Sequence, residues 1–445
     1  MIAVIGGGIS GLTAAWALAG AGESVVVLEA TPSVGGKLQV RCVAGVPVDV
    51  GAEAMLARRP EGVGLLSELG LSPVSPLTTA ALVRAGGALH PLPVRTMMGI
   101  PADVAAARES GALTEHALGR IAAEPSLEAL APFSDDVSVG SLVRSRLGNE
   151  VADRLVEPLL GGVYAGRADE LSLRATLPVL AAQLVDGGSL IGAAQAVLGT
   201  IAGSSEALFA SLPGGLGRLP TALASSGRFE VRTGITVRSI RRSASGFALD
   251  CGVDPVLQAS GVVVATPAAK SARLLRSVAA SAAAELEAIE SASVAIVTLA
   301  YRDVSPPPGS GLLVGAREGL AVKGVTLSSQ KWPLETGGLT LLRASLGRAG
   351  EAQVLQRADT ELVRLVRHDL GELLGWAAQP VDVLVTRWGG GLPQYAVGHV
   401  ERVRRIRGSV AEVPGLAVCG AAYDGVGIPA CIASARAAAS QVLGH

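Results

Sequence analysis

A chain of 445 residues is too long for one ordinary hydrophobic core, so two or three domains are expected. The net charge of −1, with no long basic run and with 3% aromatic residues, excludes the charged and stacking surfaces typical of nucleic-acid binders. Hydrophobic residues make up 49% of the chain and charged residues 17%, which excludes disorder and predicts either a large core or an apolar surface that meets lipid or an apolar ligand.

The chain begins with the pattern of a strand, a glycine turn and a helix. Residues 2–5 predict an apolar strand, Gly6, Gly8 and Gly11 follow with GxGxxG spacing, and residues 12–19 predict a helix rich in alanine and leucine. The three glycines would allow a tight turn, close approach of the backbone to a pyrophosphate, and close packing of the helix on the sheet. Free N–H groups at the helix start would then point at the phosphates.

A second apolar run, residues 24–28, predicts the next strand and ends before Glu29. Glu29 lies 18 positions after Gly11, where a carboxylate would accept hydrogen bonds from a ribose diol. The strand, the turn, the helix and this acid together predict binding of a dinucleotide whose ribose carries no phosphate.

The next segment favours FAD over NAD. Gly35 and Gly36 provide a second place for close backbone approach, Lys37 adds a positive charge, and residues 49–53 predict an extended segment beside a ring system. With these segments the chain resembles the superfamily of flavin-containing amine oxidases and porphyrinogen oxidases. Members of that superfamily use them for the ribityl chain and the isoalloxazine ring.

Later segments are expected to complete the dinucleotide-binding domain, since the amino-terminal strands alone would leave a sheet with open edges. Residues 228–251 alternate like a meander of strands, residues 261–267 predict a buried strand ended by proline, and residues 415–443 predict a strand, a glycine-rich turn and a long helix. The predicted fold class is α/β. The predicted division is a discontinuous Rossmann-like FAD-binding domain at 1–57, 207–289 and 386–445, an α+β substrate-binding domain at 58–99 and 290–385, and a helical subdomain at 100–206.

The helical subdomain contains a charge-free stretch, residues 187–205. Its length is borderline for a transmembrane span, and its glycines and polar residues make bilayer crossing unfavourable. A buried helix is the favoured interpretation. A membrane-facing helix stays open, and with it peripheral contact with the inner face of the membrane.

Four later segments together resemble the porphyrinogen oxidases of heme biosynthesis. They are "VEPLLGGVYAGRADELSLRATLP" (156–178), "LPGGLGRLPTALA" (212–224), "RWGGGLPQYAVGHVERV" (387–403) and "GAAYDGVGIPACI" (420–432). The first and third are specific to that branch. Within it, "VKGVTLSSQKWP" (322–333) looks most like the bacterial members that act on coproporphyrinogen III.

The resemblance implies a six-electron oxidation of coproporphyrinogen III to coproporphyrin III. Non-covalent FAD would accept two electrons at a time, and molecular oxygen would reoxidise it and leave hydrogen peroxide. Protoporphyrinogen IX oxidation on the same scaffold stays open, as does handover of the porphyrin product to a ferrochelatase.

The resemblance also implies roles for individual residues. Gly162 would turn its carbonyl toward the pyrrole N–H groups of the substrate, and Lys323 resembles a lysine that related oxidases place near flavin N5. Both are predicted to be catalytic, although a surface position is the alternative for Lys323. Arg58 matches a position that binds a substrate propionate, with a solvated surface arginine as the alternative. The predicted cofactor-binding residues are Gly6, Gly7, Gly8, Ile9, Ser10, Gly11, Glu29, Ala30, Gly36, Lys37, Gly51, Ala52, Glu53, Ala54, Val237, Trp388, Gly420, Val426, Gly427 and Ile428.

Two more distant functions stay open. A flavin amine oxidase or a carotenoid desaturase would share the amino-terminal motifs, but four tyrosines and four tryptophans make the aromatic cage of an amine oxidase hard to build. A non-catalytic escort protein would keep the fold and bind a tetrapyrrole or a lipid without a flavin.

The four cysteines, Cys42, Cys251, Cys419 and Cys431, have neither CxxC spacing nor a histidine spacing that would form a metal cage. The sequence therefore predicts no metal site. Reduced thiols in a cytoplasmic protein are expected.

Overall fold

The computed structural model describes residues 1–132, 135–201, 207–252 and 256–444. The end of the charge-free stretch, residues 202–205, therefore lies outside the described residues. The same holds for the parts of the three predicted domains that fall on 133–134, 206, 253–255 and 445.

In chain order, the described strands are β1 Ile2–Ile5, β2 Val25–Leu28, β3 Val40–Val43, β4 Val46–Asp49, β5 Met55–Leu56, β6 Leu82–Ala85, β7 Ala88–Pro91, β8 Thr96–Met97, β9 Ile100–Pro101, β10 Phe209–Ala210, β11 Glu230–Arg232, β12 Ser239–Ser243, β13 Gly246–Asp250, β14 Leu257–Ala259, β15 Gly261–Val264, β16 Ser291–Tyr301, β17 Gly311–Val314, β18 Val322–Thr326, β19 Thr340–Leu346, β20 Asp382–Pro393 and β21 Leu416–Val418.

In the same order, the described α-helices are α1 Ile9–Gly20, α2 Pro60–Glu68, α3 Val104–Ser110, α4 Glu115–Ala123, α5 Val139–Leu147, α6 Asn149–Val151, α7 Glu157–Tyr164, α8 Leu173–Thr176, α9 Pro178–Gln183, α10 Leu190–Ile201, α11 Arg218–Ala224, α12 Ala268–Leu275, α13 Ala280–Glu287, α14 Ser328–Lys331, α15 Asp359–Leu374, α16 His399–Ala411 and α17 Ile428–Leu443. A π-helical segment, Ala152–Val156, joins α6 to α7.

A parallel five-stranded sheet carries the glycine turn, in the order β11-β2-β1-β15-β21. Strands β1, β2, β15 and β21 are buried throughout, as expected for valine- and isoleucine-rich strands covered on both faces. One face packs against α1 and α17, and the other against α12, α13 and α16. The carboxyl ends of these strands meet at one edge, which is where doubly wound sheets bind their ligands.

One strand of the predicted meander belongs elsewhere. β11 pairs in parallel with β2 and extends the five-stranded sheet, whereas β12, β13 and β14 form a separate antiparallel sheet. The prediction that residues 228–251 form one meander is therefore wrong for its first strand. Alternating polarity marks a strand, but it carries no information about which neighbour that strand pairs with.

A mixed seven-stranded sheet has the order β20-β16-β19-β18-β17-β6-β7. Helix α15 packs against one face of this sheet, and the β3–β4 hairpin packs against the other face near β16, β19 and β20. Strand β20 runs across the boundary predicted at residue 386. The division into three domains stays a prediction.

The described helices between residues 102 and 201 bury one shared apolar cluster. Most of the described part of the charge-free stretch forms α10, whose Leu190, Ile191, Ala194 and Val197 are buried, whereas residues 195–196 and 199–200 are exposed, so the favoured interpretation of a buried helix holds for one face of α10. Over the ranges that the structure describes, every helix is too short or too polar to span a bilayer.

Candidate active site

The glycine turn after β1 leaves a bare stretch of backbone. A Cβ atom on Gly11 would lie 1.9 Å from the Gly6 carbonyl oxygen, so only glycine lets α1 approach β1 this closely. A Cβ atom on Gly8 would meet nothing within 4 Å, and Gly8 caps α1 without a side-chain hydrogen bond. The first turn of α1 contains no acidic residue, so its free N–H groups form a site suited to an anion.

Glu29 and the second glycine pair pack against this turn. The Gly7 N–H donates to Glu29 Oε2 at 2.7 Å, and the Gly35 N–H donates to the Gly7 carbonyl at 2.8 Å. A Cβ atom on Gly36 would lie 3.3 Å from Gly8 Cα. Lys37 follows, half-buried, and its side-chain ammonium makes no hydrogen bond or ion pair with any described residue. A cation without a protein partner beside the bare helix start suits a bound diphosphate.

The predicted adenine-side residues lie next to Glu29. The Ile235 N–H donates to the Glu29 carbonyl at 2.9 Å. Val237, two residues later, is buried against the face of the parallel sheet that packs against α12, α13 and α16. Ala30 follows Glu29 directly and is exposed.

A second long helix starts beside the first. Gly427 caps α17 without a side-chain hydrogen bond, and the first turn of α17 also lacks acidic residues. A Cβ atom on Gly420 would lie 3.8 Å from Ser10 Oγ in α1. Val426 packs against the helical cluster rather than against the parallel sheet. Residues 420–428 therefore connect the glycine turn to the helical part of the molecule.

The segment after β4 runs between the glycine turns and the seven-stranded sheet. A Cβ atom on Gly51 would lie 1.9 Å from the Lys37 carbonyl oxygen, and the Ala52 N–H donates to that oxygen at 3.1 Å. From the sheet, Trp388 Nε1 donates to the Val50 carbonyl at 2.9 Å. The half-buried Ala54 completes this extended segment.

Glu53 is held between two cations. Lys331 Nζ lies 2.7 Å from one carboxylate oxygen and Arg343 Nη1 lies 2.5 Å from the other, while the Arg343 guanidinium also donates to the Gly51 carbonyl. Burial alone would raise the pKa of Glu53, but the charges of Arg343 and Lys331 outweigh it and lower the pKa to about 2. The ionised Glu53 therefore fixes the 49–54 segment to β19 and α14.

We expect Glu53→Gln to lower the free energy of unfolding by about 2 kcal/mol, because two buried cations would be left with a neutral partner. The pKa of Glu53 lies below its ordinary value of 4.5, so this stabilisation is present above that pH and is lost as the pH falls toward 2. Urea unfolding at pH 7 and at pH 3 measures it, and the difference between the two proteins should shrink at pH 3. Glu61→Gln, which breaks a surface pair with Arg59, is the control, and equal losses in both variants would contradict the prediction.

Lys323 contacts the end of α7 at Gly161, the residue before Gly162. Val322 pairs with Leu346 and Gly324 pairs with Ser345, so Lys323 is the extra residue of a β-bulge. Val322 and Val325 both belong to the apolar cluster under α15, which strict alternation would not allow for residues three apart, so the bulge is what lets Lys323 point away from that cluster. Instead Lys323 Nζ donates to the Gly161 carbonyl at 3.3 Å.

The end of α7 offers a free acceptor. The Gly161 carbonyl also accepts from the Ala165 N–H at 3.0 Å, whereas the Gly162 carbonyl in the same turn accepts no hydrogen bond from the described residues. Gly162 itself is exposed, and a Cβ atom there would be 3.4 Å from Leu313 Cδ2. The bare Gly162 carbonyl is thus one residue along the chain from the carbonyl that binds the buried amine of Lys323.

The environment of Lys323 favours its neutral form. Lys323 is 4% exposed, and burial, followed by the nearby charge of Arg348, lowers its pKa to about 7. A lysine with this pKa exchanges its proton at physiological pH and is suited to proton transfer.

Arg58 lies between β5 and α2 in the chain. It follows β5, is exposed, and makes no hydrogen bond or ion pair with any described residue. Its role in binding a substrate propionate stays a prediction.

Several residues of the site were missed by sequence reasoning. Arg343 was not identified, although a single arginine inside the apolar strand "LTLLRASL" signals a buried acidic partner. Asp49 belongs to the segment predicted to lie beside a ring system, and its carboxylate accepts the Leu216 and Gly217 N–H groups at 2.9 and 3.1 Å. Burial raises the pKa of Asp49 to about 6.

The chain matches the family model described as flavin containing amine oxidoreductase over residues 9–443. It belongs to the flavin-containing amine oxidoreductase family. Within this family it is 40% identical over 443 residues to the coproporphyrinogen III oxidase of Mycobacterium leprae, covering 97% of this chain and 96% of that protein. It is 32% identical over 465 residues to the coproporphyrinogen III oxidase of Bacillus subtilis, covering 99% and 97%.

Two further matches cover the whole chain. The protoporphyrinogen oxidase of Macaca fascicularis is 32% identical over 483 residues, covering 100% of this chain and 98% of that protein. A crystal structure from Exiguobacterium sp. 255-15 superposes with a TM-score of 0.89 at 32% identity, covering 100% and 99%. These matches confirm the predicted α/β fold class, the resemblance to porphyrinogen oxidases and an enzyme that uses a flavin.

Proposed function

We propose that this family member oxidises coproporphyrinogen III to coproporphyrin III with non-covalently bound FAD, uses molecular oxygen as the terminal acceptor and releases hydrogen peroxide. One observation carries the proposal: the chain aligns over 97–99% of its length with coproporphyrinogen III oxidases of Mycobacterium leprae, Bacillus subtilis and Staphylococcus aureus at 30–40% identity. Protoporphyrinogen IX is the second candidate substrate, because the Macaca fascicularis relative bears that name.

FAD would be held by the two glycine turns and the two helix starts. The free N–H groups of Gly8 to Gly11 and the Lys37 ammonium would bind the diphosphate, and Glu29 and Val237 would bind the ribose and adenine. The remaining predicted residues would surround the ribityl chain and the ring, and they are Gly51, Ala52, Glu53, Ala54, Trp388, Gly420, Val426, Gly427 and Ile428. When bound, FAD accepts two electrons per cycle, so a six-electron oxidation needs three cycles.

Cys431 supports the non-covalent mode. It lies in the first turn of α17 and is buried, and burial raises the pKa of its thiol. Covalent attachment through cysteine requires a thiolate, which this environment disfavours.

The substrate would lie against the end of α7. There the Gly162 carbonyl would accept a pyrrole N–H, and Lys323 in its neutral form would accept a proton released as the ring system is oxidised. Arg58 would bind a propionate group. The three-domain division, peripheral contact of the helical subdomain with the membrane and product handover to a ferrochelatase stay predictions.

We expect the purified protein to be yellow and to bleach when coproporphyrinogen III is added without oxygen. In air, about three molecules of hydrogen peroxide should accompany each coproporphyrin, measured by peroxidase coupling and porphyrin fluorescence. Protoporphyrinogen IX under matched conditions is the control. Faster turnover of that control would favour the second candidate, and a colourless protein would favour an escort function.

A further inference from the structure

Residues 394–399, which follow β20, contact both halves of the proposed active site. On the α7 side, Gln394 Nε2 donates to the Tyr164 carbonyl at 2.8 Å, and the rings of Tyr164 and Tyr395 lie 5.7 Å apart. The Tyr395 carbonyl accepts the Ser172 N–H at 2.8 Å. These contacts hold the turn just beyond Gly161 and Gly162.

Gly166 shows how closely the two segments approach. A Cβ atom on Gly166 would lie 2.3 Å from Gln394 Oε1. Gly166, the last glycine in "GGVYAGR", is therefore needed for Gln394 in "LPQYAVGH" to reach the end of α7. The two most specific segments of the sequence are thus in direct contact.

The same segment also holds the loop that leads to α17. The Tyr395 hydroxyl donates to the Ala421 carbonyl at 2.6 Å, and His399 Nε2 lies 3.2 Å from the Tyr423 carbonyl. The rings of Tyr395 and His399 stack with centroids 4.0 Å apart and 15° between their planes. Both residues are 1% exposed, so water does not compete for these bonds.

The protonation state of His399 is compatible with its hydrogen bond to the Tyr423 carbonyl. Burial lowers its pKa to about 4, so the ring is neutral at physiological pH and its Nε2–H donates to the Tyr423 carbonyl. Its other nitrogen, Nδ1, is buried and has no partner among the described residues. The packing therefore places this ring for its contact with the 421–423 loop and leaves Nδ1 unsatisfied.

We propose that Gln394, Tyr395 and His399 are positioning residues that tie the end of α7 to the 420–427 loop, so that binding of flavin at the loop orders the carbonyls that face the substrate. The inference rests on the proposed flavin site, but it does not depend on which porphyrinogen is oxidised. Tyr395 is the central residue, since its ring contacts α7 and its hydroxyl contacts the loop.

Hydrogen–deuterium exchange on the full chain, with and without FAD, tests the inference. In the wild type, FAD should protect the amides of both 157–166 and 420–428. In Tyr395→Phe, we expect protection of 420–428 to remain and protection of 157–166 to fall by about 3- to 10-fold, the worth of one hydrogen bond. Tyr301→Phe, which removes a hydroxyl from a buried tyrosine beside Trp376, is the matched control and should behave as the wild type.

Two further measurements keep the inference decidable. Gln394→Met removes the donor to Tyr164 without touching the loop and should cause the same loss at 157–166, which covers the case in which Tyr395→Phe folds poorly. In stopped-flow experiments Tyr395→Phe should slow flavin reduction by coproporphyrinogen III, with KM and reoxidation by oxygen unchanged.

Equal protection of both segments in wild type and variants would overturn the inference. A wild type that coproporphyrinogen III does not reduce would instead overturn the proposed function, since exchange needs no substrate.

Discussion

Gly11→Ala is expected to give a folded but colourless protein. The new Cβ atom would lie 1.9 Å from the Gly6 carbonyl oxygen and 3.0 Å from the Gly6 carbonyl carbon, and both are backbone atoms that cannot rotate away. Helix α1 must therefore move off β1, which displaces the free N–H groups that would bind the diphosphate. Returning the displaced helix start to its binding position would cost about 3 kcal/mol, the strain typical of overpacking, so FAD should bind roughly 100-fold more weakly.

Gly20→Ala, in the last turn of the same helix, is the matched control. A Cβ atom there would meet nothing within 4 Å, and alanine favours helix more than glycine does, so FAD binding should be unchanged and the protein slightly more stable. FAD titration followed by flavin fluorescence measures the affinity, and far-UV circular dichroism verifies the fold. Normal affinity in Gly11→Ala would show that the glycine turn is not the diphosphate site.

The local elements of the first sheet could be predicted from sequence, because each is a short apolar run with strong punctuation. The strand at 2–5, the helix that follows and the buried strand before Pro267 all form where their patterns indicate. Pairing could not be predicted in the same way. Residues 230–232 have the same alternating polarity as their neighbours, yet they join β2 in parallel, since sheet membership depends on contacts between distant segments.

The candidate site shows the same limit. Glu29 lies 22 positions after Gly7, at the end of the next strand of the same strand–helix–strand unit, and this spacing predicts that they meet. The contact between Lys323 and Gly161 depends instead on a bulge in β18, and one extra residue in a ladder leaves no sequence pattern. Likewise, the role of the "LPQYAVGH" segment emerges only when α7 and the 420–427 loop are seen on either side of Tyr395.

Lys323→Met is expected to lower kcat for coproporphyrinogen III by about 100-fold, the effect typical of losing a group that accepts a proton in the rate-limiting step. The pKa of Lys323 is about 7, so the wild-type rate should rise with pH through that value as the neutral amine forms. In Lys323→Met this rise should be absent. Rates measured by porphyrin fluorescence from pH 6 to pH 9 give both results.

Two variants separate the proton-accepting role from the contact with Gly161. Lys323→Arg keeps a donor for the Gly161 carbonyl but stays protonated, so it should be as slow as Lys323→Met. Lys270→Met, which removes an exposed lysine from α12, should keep the wild-type rate and pH profile. A fast Lys323→Arg enzyme would show that Lys323 acts only as a fixed cation.

We expect the buried amine of Lys323 to lower the free energy of unfolding of the wild type at low pH, and to lower it less as the pH rises. The folded-state pKa of Lys323, about 7, is below its ordinary value of 10.5, so between these values the unfolded chain binds the proton and the folded chain does not. The free-energy cost of burying the Lys323 charge therefore reaches its full value below pH 7 and decreases as the pH rises above 7. Lys323→Met should accordingly be more stable than the wild type at pH 6, by a margin that narrows toward pH 9. A variant that is both slower and more stable at pH 6 would show that the protein retains a costly buried amine because its chemistry requires one.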